Sequence, residues 1–485
     1  MDQTKEDLIL GYLTNQIALT PSLAKQYTND GFYARRISYL RLESIAKKFV
    51  YGTSNERIVL IPGLRGVGKT TILFQIYLSI KNYLDNNRLI YLSCDNIVKL
   101  LNSNLKEVLE VYEKKIVGDA FEKISKKIIL LIDEAHYDPS WQDIIKSIYD
   151  RTKNILIIVS GSSSIAIETT SDLARRSIVE RIFPLNFLEY LILKKKIYPL
   201  KDASSKIKEA IFLSNNLDES YKILVEVHQE LLNKFFTKIP NLESEMINYL
   251  VHGGFPFTSN SDKEEITFSK IISIIEKIVY QDIIAFYPAY KGLITKIFPI
   301  LYVISESSDK ISYENLAKYL DSTTKSLIYE VLQALEKAGL VQAITIEGSA
   351  MKVMRNSMKF YFPSPTIRAS LLWGIGRFNK ESKIVGLLLE TAVFNTLYKI
   401  KEYQKNIIQE IYYSENPGEA DFKVISKNRK IIIECGWGNK DQSQINKTNA
   451  INQSKTSFII SNVKTPLIDK KNNLIYVPKE MFLLI

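Results

Sequence analysis

Eight consecutive residues near the start of the chain have the composition and spacing of a phosphate-binding loop. Residues 63–70 read Gly-Leu-Arg-Gly-Val-Gly-Lys-Thr and match the pattern G-x-x-x-x-G-K-[ST]. Glycines let backbone N–H groups approach phosphates closely, the lysine supplies a positive charge, and the threonine hydroxyl binds Mg²⁺. We therefore predict that ATP binds here with Mg²⁺. The predicted contacts come from Gly63, Arg65, Gly66, Val67, Gly68, Lys69, Thr70 and Thr71.

Two carboxylates follow a second apolar run. Residues 127–132, Lys-Ile-Ile-Leu-Leu-Ile, are typical of a buried strand and are followed by Asp133 and Glu134. A carboxylate at the end of such a strand can hold Mg²⁺, and the next can deprotonate the attacking water. We predict that Asp133 joins Thr70 at the metal, that Glu134 is the general base, and that Lys69 assists catalysis.

A third apolar run, residues 154–159, is followed by Ser160 and Ser162. A small polar side chain at this place would sense the γ-phosphate and position the water, so both serines are candidates, Ser160 first. The alternative is ordinary turn and helix-cap chemistry, which serine also favours.

The sequence also indicates the strand and the helix that must position these residues. Residues 57–61 are apolar and β-branched, as expected of a buried parallel strand, and residues 71–77 continue with helical apolar spacing. The loop therefore opens a helix N-terminus, where phosphates bind favourably. The predicted fold class is α/β, with a parallel-sheet core. A length of 485 residues exceeds what one core supports and predicts three to four domains.

The composition of the chain argues against several classes of protein. No apolar run reaches the roughly 18 residues that a membrane helix needs, and the acidic start lacks a signal-peptide pattern. Two cysteines, Cys94 and Cys435, lie far apart and argue against a disulfide framework, so we expect a cytoplasmic protein with no membrane partner. Three histidines with so little cysteine argue against a zinc site. The net charge of +11 permits nucleic-acid binding without requiring it.

Several segments in the same order resemble a family of AAA-type P-loop ATPases of archaea and bacteria. They are the phosphate loop, residues 133–141 (Asp-Glu-Ala-His-Tyr-Asp-Pro-Ser-Trp), 160–163 (Ser-Gly-Ser-Ser), 184–191 (Pro-Leu-Asn-Phe-Leu-Glu-Tyr-Leu) and 253–256 (Gly-Gly-Phe-Pro). The resemblance implies a C-terminal domain like restriction endonucleases, of the PD-(D/E)xK type. Residues 133–136 also spell the DEAH signature of a helicase superfamily, but nothing like that superfamily's late arginine-rich motif occurs here.

The family carries an arginine shortly before the segment 184–191, and Arg176 matches it. An arginine at this place either completes the site of its own subunit or reaches the γ-phosphate bound by a neighbour, as in a ring of ATPase cores. Arg176 is the first candidate for this catalytic role, and Arg181 is the second. A structural arginine on a helix is the alternative.

The predicted domains follow from composition and the resemblance. They are an N-terminal helical segment (1–35), the ATPase core (36–199), a helical lid (200–288), a winged helix (289–365) and a nuclease-like domain (377–485). Three helices and a hairpin indicate the winged helix, whose third helix would present Thr324, Lys325, Ser326 and Tyr329 to DNA. Winged helices also bind proteins, and this alternative stays open.

The C-terminal region contains three acids in a helix, strand, strand layout: Glu390, Asp421 and Glu434. In PD-(D/E)xK nucleases such acids hold Mg²⁺, and a lysine two residues after the last one steadies the water. Here that position is Gly436, and Lys440 follows on a loop. Basic residues outnumber acidic ones after residue 377, so the domain could follow a phosphate backbone. We therefore predict DNA binding with weak or no cleavage.

The sequence thus predicts an ATPase that couples its nucleotide state to the handling of DNA, which is its expected partner besides ATP. The alternative is an ATP-dependent signalling switch whose C-terminal modules bind partner proteins.

Overall fold

The chain folds into two units, Met1–Phe183 and Pro184–Ile485. The structure is a computed structural model. It describes residues 2–31, 33–161, 171–258, 263–284, 292, 294–307, 309–320, 324–349, 357–414, 419–427, 429–438, 442–452 and 456–485.

A five-stranded sheet forms the centre of the first unit. Its strands are β1 (Ile58–Pro62), β2 (Leu89–Ser93), β3 (Ile128–Asp133), β4 (Ile155–Gly161) and β5 (Ile178–Val179). Their order is β2-β3-β4-β1-β5, and all neighbours are parallel. Residues of β1, β3 and β4 are buried throughout, as in parallel sheets covered on both faces. The predicted α/β class with a parallel-sheet core is confirmed.

The α-helices of the first unit are Gln3–Tyr27, Ile37–Val50, Lys69–Ile80, Cys94–Lys99, Leu105–Val111, Trp141–Arg151 and Ser171–Ala174. The strand register brings several polar residues to one edge of the sheet. Ser93 pairs with Asp133, and Ile61 pairs with Ser160. Because β1 to β4 run in the same direction, the phosphate loop, Asp133 and Ser160 all lie at their carboxyl ends.

The second unit begins with helices, and the assignment of residues 200–288 to a helical lid stays a prediction. Its α-helices up to residue 337 are Phe187–Lys195, Ala203–Lys208, Leu217–Lys234, Leu242–His252, Glu264–Lys277, Ile294–Glu306, Tyr313–Tyr319 and Lys325–Lys337. The exposed start of the last helix includes Thr324, Lys325, Ser326 and Tyr329.

The Gly-Gly-Phe-Pro turn holds two parts of this unit together. The Gly254 carbonyl accepts a hydrogen bond from the Leu185 N–H at 2.8 Å. The Gly254 N–H donates to Thr366 Oγ1 at 2.9 Å. A side chain at Gly254 would collide with Ser364 Oγ, so the close approach requires glycine.

A hairpin and a mixed sheet complete the second unit. The hairpin consists of β6 (Gln342–Ile344) and β7 (Lys359–Tyr361). The sheet contains β8 (Glu410–Tyr412), β9 (Phe422–Ser426), β10 (Arg429–Cys435), β11 (Ser457–Ser461), β12 (Leu467–Asp469) and β13 (Leu474–Pro478), in the order β12-β13-β11-β10-β9-β8. Its α-helices are Pro365–Gly374, Ser382–Tyr403, Ser443–Asn452 and Lys479–Phe482.

Strands β8, β9 and β10 are antiparallel neighbours, and β11 returns parallel to β10 after the helix Ser443–Asn452. The helix Ser382–Tyr403 precedes them, so this part has the element order helix, three strands, helix, strand. Asp421, which the sequence predicts to lie on a strand, is the residue immediately before β9.

Within the part of the chain that the structure describes, the helices are too short or too polar to span a bilayer.

Candidate functional site

The loop between β1 and the helix Lys69–Ile80 has the backbone that its glycines predict. Gly66 and Gly68 have φ of 80° and 95°, in the left-handed region that favours glycine. A Cβ at Gly63 would lie 2.5 Å from the carbonyl oxygen of Ile182. Glycine is therefore required at Gly63 by close packing and at Gly66 and Gly68 by conformation.

Lys69 is buried and lies inside this loop. Its Nζ donates to the carbonyl oxygens of Gly63 at 3.0 Å and Leu64 at 3.1 Å. Glu134 Oε1 lies 3.8 Å from the same nitrogen. The Lys69 ammonium, which is predicted to bind the phosphates, is thus already hydrogen-bonded to carbonyl groups of the loop.

Three hydroxyl groups converge on the Asp133 carboxylate, which is buried. Thr70 Oγ1 donates to Oδ2 at 2.7 Å, and the Tyr91 hydroxyl donates to the same oxygen at 2.9 Å. Ser160 Oγ donates to Oδ1. Burial and the Asp133 charge raise the pKa of Tyr91, so its hydroxyl stays protonated and remains a donor. Asp133 is therefore fixed in orientation from both sides.

Sequence reasoning identified Thr70, Asp133 and Ser160 but missed Tyr91. The tyrosine lies two residues before the end of β2, inside an apolar run that reads as ordinary strand. Only the neighbouring position of β2 and β3 brings it to Asp133, so no local signal could have identified it.

Glu134 begins just after β3 with a φ of 52°, an uncommon conformation for a residue with a side chain. Its N–H donates to Ser160 Oγ at 3.1 Å. Its carboxylate lies between two nitrogens, with Oε2 3.4 Å from His136 Nε2 and Oε1 near Lys69. The carboxylate is partly exposed, and its role as general base stays a prediction.

Arg36 braces the loop, a role that sequence reasoning did not assign. The side chain is buried and donates to the carbonyl oxygens of Val67 at 2.8 Å and Phe183 at 2.7 Å. Arg65 Nη2 lies 3.5 Å from the Tyr137 hydroxyl.

Arg176 lies against the helix Trp141–Arg151. Its Nε is 3.6 Å from Asp150 Oδ1, and its guanidinium carbon is 5.7 Å from the centre of the Tyr149 ring. Arg181 follows β5, and Ser162 lies outside the described residues. The catalytic roles of Arg176 and Ser160 stay predictions.

In the second unit, Asp421 and Glu434 are brought together. The Asp421 N–H donates to Glu434 Oε2 at 3.1 Å. Asp421 Oδ2 accepts from the Cys435 N–H at 2.9 Å and lies 3.2 Å from Cys435 Sγ.

Glu390, on the helix Ser382–Tyr403, instead meets two residues of the hairpin. Lys359 Nζ and the Tyr361 hydroxyl each lie 2.6 Å from Glu390 Oε1. Burial lowers the pKa of Lys359, but the charges of Glu390 and Asp421 raise it more, to about 12. Burial alone would raise the pKa of Glu390, yet the Lys359 ammonium holds it below its usual value.

No group of three or more His, Cys, Asp or Glu side chains among the described residues is arranged to hold a metal ion. The assignment of Glu390, Asp421 and Glu434 to Mg²⁺ therefore stays a prediction. Lys440, the candidate substitute for the missing lysine, lies outside the described residues.

The fold and the loop define the class of protein. Residues 55–191 match a family model described as an AAA domain, which confirms the predicted AAA-type P-loop core.

The chain belongs to the family of the uncharacterized protein MJ1637 of Methanocaldococcus jannaschii. The two are 32% identical over 480 residues, which cover 98% of this chain and 93% of that protein. The uncharacterized protein MJ1544 of the same organism is 24% identical over 388 residues, covering 78% of this chain and 74% of that one. Among solved structures, the Walker-type ATPase PABY2304 of Pyrococcus abyssi aligns with 71% of this chain and 96% of its own, at 14% identity and a TM-score of 0.38.

Proposed function

We propose that the chain binds ATP with Mg²⁺, hydrolyses it, and couples its nucleotide state to the handling of DNA. The observation that carries the ATPase part is the hydrogen-bonded group Thr70–Asp133–Ser160 beside the phosphate loop. It places the loop threonine, the strand-end carboxylate and the candidate sensor at one edge of the sheet, with Glu134 next to them.

Each residue then has a defined role. Thr70 and Asp133 would hold Mg²⁺, which neutralises charge that develops on the phosphates. We infer that the triphosphate replaces the Gly63 and Leu64 carbonyls as the partner of Lys69. Glu134 would accept the proton of the attacking water, and Ser160 holds the backbone of that residue in place.

The direct test is ATP turnover by the purified full chain, measured with Mg²⁺ and with EDTA. Turnover that requires Mg²⁺ supports the proposal. Turnover no greater than that of a Lys69→Ala preparation would overturn it.

The DNA part of the proposal is supported by the second unit. Three helices precede a hairpin, as in a winged helix, and the exposed start of the helix Lys325–Lys337 has the place of a recognition helix. The order helix, three strands, helix, strand in residues 382–461 agrees with the nuclease-like resemblance. The excess of basic residues after position 377 favours a phosphate backbone as the ligand.

We expect the full chain to bind duplex DNA with strong salt dependence. The logarithm of the binding constant should fall against that of the salt concentration with a slope of about −0.9 per phosphate contact, several contacts being involved. Fluorescence anisotropy between roughly 50 and 200 mM salt measures it. Duplex, nicked and branched DNA should remain uncut with Mg²⁺ or Mn²⁺.

Efficient cleavage by the wild type that is lost in Asp421→Ala would contradict the expected lack of cleavage. A flat salt dependence would instead favour the alternative function, an ATP-dependent signalling switch whose C-terminal modules hold partner proteins. That alternative remains because winged helices bind either DNA or proteins, and a nucleotide can control the equilibrium between two states in either case.

We further propose that Arg176 acts across an interface between ATPase cores in a ring. The basis is its place after β4 and before segment 184–191, matching the arginine of the resembled family. Mixing Arg176→Ala with Lys69→Ala chains should restore or poison turnover, because one chain supplies the arginine and the other the nucleotide site. Arg175→Ala, a change at the exposed neighbour, serves as the control. If the turnover of the mixture equals the sum of the turnovers of the two variants measured separately, Arg176 does not act in a site shared between chains.

A further inference from the structure

A lysine from the hairpin reaches the carboxylate cluster that lacks its expected lysine at Gly436. Lys359 and Tyr361 are two residues apart on β7, so their side chains leave the same face of the hairpin. Both polar ends meet at Glu390 Oε1, each at 2.6 Å. The Lys359 and Glu390 side chains are only 12% and 10% exposed, so this ion pair is almost dry.

Aromatic packing fixes the hairpin in this place. The Tyr361 ring stacks on Phe394, with ring centres 4.2 Å apart and planes 14° apart, and it also contacts Phe422 at 5.7 Å. Glu390 and Phe394 are four residues apart on one helix and therefore lie on the same face. The same helix face thus holds the ring of Tyr361 and the ammonium of Lys359.

The carboxylates of Asp421 and Glu434 also accept hydrogen bonds from groups of the protein. Asp421 Oδ2 accepts from the Cys435 N–H, and Glu434 Oε2 accepts from the Asp421 N–H. The Gln444 side-chain amide also lies against the Glu434 carboxylate. Mg²⁺ requires a near-octahedral shell of oxygens and usually keeps several waters. The described residues do not fit that requirement, since none of their acidic groupings is arranged for a metal.

We propose that Lys359 takes the place of a divalent metal ion in this cluster. Its ammonium, supplied by the β6–β7 hairpin, is the counter-charge for Glu390 and acts electrostatically on Asp421 as well. The hairpin and the C-terminal sheet are thereby held together without a metal. The consequence is a nuclease-like fold that has no metal-dependent hydrolysis. The inference goes beyond the ATPase proposal, and its test uses neither nucleotide nor DNA.

The first test compares Mn²⁺ uptake by the nucleotide-free full chain and by Glu390→Gln, measured by electron paramagnetic resonance. We expect the same Mn²⁺ uptake by both and no change in the wild-type unfolding midpoint on adding EDTA. An ion retained by the wild type and by Asp133→Asn but lost in Glu390→Gln would overturn the proposal, because it would place a metal at this cluster.

The second test removes the ammonium. Lys359→Met removes the cation in direct contact with the buried Glu390 and leaves only the more distant charge of the buried Arg368 acting on it. The change should lower the unfolding midpoint by on the order of 5–10 °C. Lys359→Met/Glu390→Gln, which also removes the uncompensated carboxylate charge, should recover part of that loss. The matched control is Lys234→Met, since the Lys234–Glu230 pair is 65% and 36% exposed and exposed pairs stabilise little.

An unchanged midpoint in Lys359→Met would overturn the proposal, because a required counter-charge cannot be removed without loss. If Lys359→Met does not fold, the Mn²⁺ comparison of the wild type with Glu390→Gln decides on its own.

Discussion

Glu134→Gln is expected to bind ATP about as well as the wild type and to hydrolyse it on the order of 10²–10⁴ times more slowly. The amide keeps the size of the side chain and its place between Lys69 and His136, but it cannot accept a proton from water. Loss of turnover with retained binding is the signature of a group that acts in the transition state. Phosphate release under single turnover, with ATP affinity measured in parallel, separates the two effects.

The matched control is Glu110→Gln, which makes the same change in the same unit. The Glu110 side chain is 55% exposed, and its Oε1 lies 3.9 Å from Lys106 Nζ. It should leave turnover near the wild-type rate. Undiminished hydrolysis by Glu134→Gln would remove this residue from the role of general base, without affecting the ATP-binding assignment.

Lys69→Ala should weaken ATP binding by roughly 10- to 150-fold. A charge-assisted hydrogen bond contributes roughly 1.5–3 kcal/mol, and 1.4 kcal/mol corresponds to a factor of ten in affinity. Lys69 is buried inside the loop, so solvent does not screen its attraction for a triphosphate. Titration with a fluorescent ATP analogue measures the loss.

Lys106→Ala is the control for this variant, since Lys106 is 71% exposed and carries the same charge in the same unit. Equal ATP affinity in Lys69→Ala and Lys106→Ala would mean that the nucleotide does not contact the loop. The unfolding midpoint of Lys69→Ala without nucleotide shows whether the variant is folded.

The sequence alone predicts the elements around the nucleotide site because their signals are local. Glycine spacing anticipates the left-handed backbone at Gly66 and Gly68. Apolar runs predict the buried strands to within a few residues. Asp133 and Glu134 are recognisable as candidate site residues because carboxylates at the end of a buried strand rarely serve packing alone.

The tertiary structure decides which polar side chains meet. Tyr91 reaches Asp133 because β2 and β3 are neighbours, and Arg36 reaches Val67 from the position just before the helix Ile37–Val50. Lys359 meets Glu390 from a hairpin that the sequence assigned to another domain. A buried polar group must find a partner, but its sequence neighbours do not specify which one. That choice depends on strand order, on the side of the hairpin from which a residue leaves, and on the packing that brings distant segments together.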